Sequence, residues 1–127
     1  LQISTTAAAT VVTTNTVAGS YGSYAQIVGS IATAVLIYGI TITSAAADDL
    51  QVAIATGAAA SEVDWGVFGI VRTAGTVVMA ISYDLRPFPI YVPSGTRIAA
   101  RARNNTDTSA DTTEVGFHYI PLPMAAI

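Results

Sequence analysis

The feature that most constrains this chain is a period-two alternation of Val, Ile, Thr and Tyr, broken every few residues by Gly, Pro, Asn and Asp. Alternation of period two is the signature of a half-buried strand, because successive side chains leave a strand on opposite faces. In residues 36–43 it puts Leu36, Tyr38, Ile40 and Ile42 on one side and Ile37, Gly39, Thr41 and Thr43 on the other. In "LQVAIAT" (50–56) it puts Leu50, Val52 and Ile54 inward, with Gln51, Ala53 and Ala55 outward. Further strands are expected at 10–16, 23–29, 63–71, 76–83, 88–92, 95–103 and 113–120. Only "TITSAAADDL" and "GAAASEVDW" have room for a helical turn. About eight strands with turn signals between them predict an all-β fold, an antiparallel jelly-roll-like β-sandwich, with another antiparallel sandwich as the next choice.

At 127 residues the chain is expected to form a single domain, 1–127, with an N-terminal arm (1–9) and an apolar tail (121–127), one or both packing on a neighbouring subunit, and a disordered arm as the alternative for 1–9. The start at Leu1 reads as processing or as part of a longer chain. There is no cysteine, so neither disulfides nor thiol chemistry is available. Charged residues make up 10% of the chain and the net charge is −3, against about 25% charged residues in an ordinary soluble domain. A monomer needs charge on its outside. So sparse a supply implies that other protein covers much of the surface, as in an obligate oligomer or an assembly.

No Asp, Glu, Lys or Arg precedes Asp48. The uncharged run 27–43 is nearly long enough to span a membrane. It is interrupted by Gly29, Ser30, Thr33, Gly39, Thr41 and Thr43 and has no basic anchors, so no membrane partner is expected. Nor does the start have the basic n-region of a secretory signal.

The basic groups are concentrated. The chain has no lysine and five arginines, and "PFPIYVPSGTRIAARAR" (87–103) holds Arg97, Arg101 and Arg103, directly after Arg86. Prolines at 87, 89 and 93 deny ladder hydrogen bonds and confine the first half to a sheet edge. In the second half, parity sends Thr96, Ile98, Ala100 and Ala102 one way and Arg97, Ala99, Arg101 and Arg103 the other. The last strand divides into Val115, Phe117 and Tyr119 against Glu114, Gly116 and His118. If the two strands form a hairpin, Glu114 and His118 join the arginine face. Arginines buried without partners would cost several kcal/mol each. The face is therefore either wet or covered by carboxylates, from its own chain (Asp107, Asp111 or Glu114 beside Arg103) or from a neighbour.

No catalytic, metal or cofactor site is expected. His118 is the only histidine, so a histidine triad or zinc centre would have to be built on it alone. The pairs Asp48–Asp49 and Asp107–Asp111 lack the ligand spacing of a calcium loop. Glu62 and Asp64, beside Trp65, have the look of a glycosidase acid pair. Yet any residues i and i+2 of a strand stand about 6.6 Å apart, so the spacing carries almost no information. "GSYGSYAQIVG" (19–29) has neither a GxGxxG pattern nor a Walker lysine. "NNT" (104–106) matches a glycosylation sequon, which matters only in a eukaryotic secretory setting. The acidic balance argues against a nucleic-acid partner, and only the arginine segment keeps that option open.

"IATGAAASEVDW" (54–65), "PFPIYVPSGTRIAARAR" and "VGFHYIPL" (115–122) together resemble a group of small β-sandwich virion proteins of tailed bacteriophages. The resemblance spans roughly residues 35–120. It implies a capsid decoration (cement) protein, typically a homotrimer seated on the shell in contact with the major capsid protein, in virions assembled in the host cytoplasm. On that reading Arg97, Arg101, Arg103, Glu114, His118 and Arg86 are the candidate inter-subunit or shell contacts. The alternative is a tail- or head-fibre module that stacks host-surface glycan on Tyr21, Tyr24, Trp65 and Tyr91. A catalytic reading would need Glu62, Asp64 and His118 gathered around one pocket.

Overall fold

The computed structural model describes residues 5–6, 10–44, 49–70, 79–106, 108 and 110–122. They form ten strands and no helix: β1 (Thr5–Thr6), β2 (Thr10–Thr13), β3 (Ala25–Val28), β4 (Val35–Ser44), β5 (Leu50–Thr56), β6 (Val63–Ile70), β7 (Met79–Asp84), β8 (Ile90–Val92), β9 (Ile98–Asn104) and β10 (Thr112–Pro121). All nine expected strands are present, and β1 adds a short one within the arm. With no helix among the described residues, none is long and apolar enough to cross a membrane.

The strands make two antiparallel sheets. In the first, here called the front sheet, β10 pairs with β4; β1 and β2 share the outer side of β10, and β7 and β8 share the outer side of β4. The second, the back sheet, runs β3-β9-β5-β6. Counting β1/β2 and β7/β8 as one position each gives eight positions in two four-position sheets. The fold is a jelly-roll-like β-sandwich, as the alternation predicts.

The inner faces supply one core. Val12, Val35, Ile37, Ile40, Ile42, Val115 and Phe117 from the front sheet meet Val52, Ile54, Ile98, Ala100 and Ala102 from the back, all buried. Tyr83 ties the layers together at one flank. Its hydroxyl donates to the Gly69 carbonyl and accepts from the Gly69 N–H, while its ring lies 5.0 Å from that of Phe68. The expected edge role of residues 87–93 holds, since β8 pairs with β4 alone.

Two expectations fail, and one option is not taken up. The parity assigned to residues 36–43 is wrong in its first half: His118 pairs with Gly39 and Tyr119 with Ile37, leaving Tyr38 as an extra residue. This β-bulge reverses the phase. Val35 and Ile37 point inward before it, Ile40 and Ile42 after it, and Leu36 and Tyr38 face outward. Second, β9 and β10 are not a hairpin. They lie in opposite sheets, with their apolar faces turned toward the shared core, so Glu114 and His118 are not on the arginine face. Third, "GAAASEVDW" holds a tight turn rather than a helical one, with Gly57 at φ 124° and Ala60 at φ 66°. In "TITSAAADDL", residues 41–44 are strand, and 45–48 lie outside the described residues.

The loop from 104 to 113 is tied down where it is described. The Asn104 amide donates to Asp111 at 2.6 Å, Asp111 and Thr14 exchange bonds at 2.8 and 2.9 Å, and the Asp49 N–H donates to Thr106 at 2.9 Å. Asp49 and Asp111 thus help close loops. Asp48 and Asp107 lie outside the described residues. So do 1–4, 7–9 and 123–127 of the arm and tail, whereas Thr5–Thr6 pair with β10 of their own chain.

Candidate functional site

The outer face of the back sheet holds the arginines. Strand β9 turns Ile98, Ala100 and Ala102 into the core and Arg101 and Arg103 outward, and Arg97 stands directly before it. Between them and the acidic strand β6 lies β5, whose outward residues Ala53 and Ala55 pair with Arg101 and Ala99. These alanines are small enough for the long arginine side chains to cross them and bury them completely. The carboxylates on the far side are Glu62 and Asp64.

Each of those carboxylates meets an arginine. Arg97 Nη1 donates to Glu62 Oε1 at 2.8 Å and to the Gly57 carbonyl at 3.3 Å, and its Nε donates to Gln26 at 3.1 Å. A bond from the backbone of Glu62 itself, then the bond from Arg97, hold the Glu62 carboxyl below its usual range. Arg101 Nη2 donates to Asp64 Oδ2 at 2.5 Å, and the Tyr24 hydroxyl donates to Asp64 Oδ1 at 2.7 Å. Burial, and then the bond to Asp64, push the Tyr24 phenol up to about 12. The Arg101 guanidinium also lies over two rings, 4.3 Å from the centre of Tyr21 and 4.8 Å from that of Tyr24.

Arg103 differs from its neighbours. Its Nε donates to the Gln51 amide oxygen at 2.5 Å and its guanidinium sits 5.0 Å from the Tyr21 ring. Among the described residues neither Asp111 nor Glu114 forms an ion pair with it, and Asp107 lies outside them.

The other candidates lie on the front sheet. His118 stands on its outer face, its Nε2 3.2 Å from Thr41 Oγ1 and its ring 6.0 Å from that of Tyr38. Gly39 makes room for it, since a Cβ there would come within 3.2 Å of the imidazole. Arg86 closes a surface loop on Asp84 with bonds of 2.6–3.0 Å, which lower the Asp84 carboxyl to about 2. The four described arginines are therefore not one cluster: three share the back sheet and Arg86 stands on the front. Glu62 and Asp64 are likewise on the opposite sheet from His118, so the triangle a catalytic reading needs is not formed.

Of the proposed sugar-stacking rings, Tyr91 is exposed, whereas Tyr21 and Tyr24 are engaged by arginine. Trp65 packs against the core, edge-on to Phe68. Sequence reading missed Phe88, the most exposed large apolar side chain among the described residues. A groove of about 300 Å³ opens between the sheets at the Val28, Ile31, Val35 and Phe117 end, and none of the candidate site residues lines it.

No family model and no curated protein matches the chain. Among solved structures, a chain from the structure of infectious bursal disease virus Gx strain is similar at a TM-score of 0.46 and 12% identity, covering 98% of this chain and 34% of that one. This chain thus spans about a third of its length. A TM-score below 0.5 carries no argument about function.

Proposed function

We propose that the protein is a non-catalytic structural subunit of a virion, a capsid decoration protein that acts as a homotrimer and binds the major capsid protein. A jelly roll by itself does not select this reading, because lectins and cupins share the architecture. The observation that carries it is how the charges are used. Three of the four described arginines are paired to carboxylates of their own chain at 2.5–2.8 Å. What remains outside is largely Thr, Ser and Ala, with Val11, Val17, Val63, Val67, Phe88 and Tyr91 more than half exposed. Such a surface suits protein contact, and stable contacts bury about 1,200–2,000 Å² each. The resemblance of residues 35–120 to phage virion proteins supports the same reading. Virions that lack the protein are expected to lose heat or osmotic resistance; unchanged resistance would contradict the cement role.

One observation favours the fibre reading: Tyr91 and Phe88 stand free at 60% and 85% exposure. Saturable binding to a glycan array, lost in Tyr91→Ala, would favour it over decoration.

A further inference from the structure

We infer that copies of this chain associate head to tail, the outer face of the back sheet of one copy meeting the outer face of the front sheet of the next, with Arg103 of one opposite Glu114 of the other. The inference rests on the reading above, in which the protein works by binding itself, and names the surface that does so.

Among the described residues, Arg97, Arg101 and Arg86 are neutralised by Glu62, Asp64 and Asp84. Arg103 has an amide oxygen and a ring face, neither of which carries a compensating charge. Glu114 has the opposite deficit. It stands exposed in the middle of the front sheet, between Val11 on β2 and Thr43 on β4, with no ion pair among the described residues. Among the described residues, these two are the charges of the two sheets' outer faces that form no ion pair. They cannot meet within one chain, because they point outward from opposite sides of a sandwich whose layers are about 10 Å apart.

The surroundings match as well. Each charge shares its face with a half-exposed valine, Val67 on β6 and Val11 on β2, each 54% exposed. The rest of the front face near Glu114 is Thr13, Thr41, Thr43 and Ser82, a flat, uncharged surface that another sheet can cover at little desolvation cost. Stacking on Tyr21 and the bond to Gln51 hold the Arg103 guanidinium in place, so little side-chain entropy is lost when it meets a carboxylate.

The geometry also fixes the symmetry class. The two surfaces lie on opposite sides of the molecule, so a two-fold axis cannot bring them together. The contact is heterologous, and it yields a closed ring if the rotation closes and a filament if it does not.

The test is a charge-swap series read by sedimentation equilibrium at low and high salt. Arg103→Glu and Glu114→Arg are each expected to weaken self-association by about tenfold or more, as close charge pairs do at interfaces. The double variant is expected to recover most of the loss. Mixed in a three-membered ring, the two single variants restore at most two of the three contacts, so the mixture is expected to recover association only in part. Glu114 is exposed, so Glu114→Arg retains the fold and carries the test even if Arg103→Glu does not fold. A monomeric wild type, single variants that associate like wild type, or a folded double variant without recovery would each overturn the inference. Variants that associate like wild type and still protect virions would remove the Arg103–Glu114 contact and leave the decoration role standing.

Discussion

Replacing Ile37 by aspartate is expected to abolish folding, whereas the same change one residue earlier, at Leu36, leaves a folded protein. Ile37 is 1% exposed and belongs to the core between the sheets. Losing its burial costs about 2–3 kcal/mol, and a carboxylate placed there adds several more. Together these rival the roughly 5–15 kcal/mol that holds a typical domain folded. Leu36 faces outward, beside Tyr38, Pro89 and Ile120, where a carboxylate keeps access to water. Circular dichroism and a thermal melt of the two variants check the contrast. Comparable loss in both would mean that the bulge at Tyr38 is misplaced.

That pair of variants also shows where the sequence stops being legible. Alternation identified every strand but the two-residue β1, and the two-faced character of β9 and β10, because burial of one face enforces period two. It could not locate the bulge, since Leu36, Ile37 and Tyr38 are all apolar and either phase buries an apolar residue. One signal was available: an isolated glycine within a strand marks bulges and close approaches, and Gly39 directly follows Tyr38. The expected β9–β10 hairpin failed for a different reason. Consecutive strands are usually neighbours, but a jelly roll sends the chain across to the other sheet at this step, and no local residue pattern reports it.

Replacing Asp64 by alanine is expected to lower stability by about 2 kcal/mol and the melting temperature by roughly 6–10 °C. The estimate lies between the values for buried and surface pairs, because the Arg101 and Asp64 side chains are 30% and 27% exposed. The loss removes more than one contact. Asp64 accepts from both Arg101 and Tyr24, so alanine leaves a half-buried cation over two rings with no anion beside it. The same variant should bring the Tyr24 phenol back from about 12 toward the ordinary 10.0, as far as burial allows. Ultraviolet titration of the phenolate reads this directly. The sign follows from linkage: a raised phenol value contributes stability that is fully present below about pH 10 and is lost as pH rises through about 12. Wild type should therefore weaken over that window more than the variant does. An unchanged melting point and titration would show that Asp64 does not anchor this face.

The partners of the arginines were only half readable beforehand. Parity showed that Arg97, Arg101 and Arg103 share a face, and desolvation showed that they need anions or water. Which anions depended on strand order. Glu62, just before β6, and Asp64 on it lie two strands from β9 and become partners because Ala53 and Ala55 leave the intervening strand low enough for arginine to cross. The charges of the segment thus serve mainly to bind the back sheet to itself, and little charge is left for the outside.

That last point is the centre of the account, and the mass of the purified chain by light scattering tests it most directly. A sparsely charged surface covered by copies of the same chain predicts a particle of more than one chain, three for the proposed homotrimer. A single-chain mass at every concentration would contradict it.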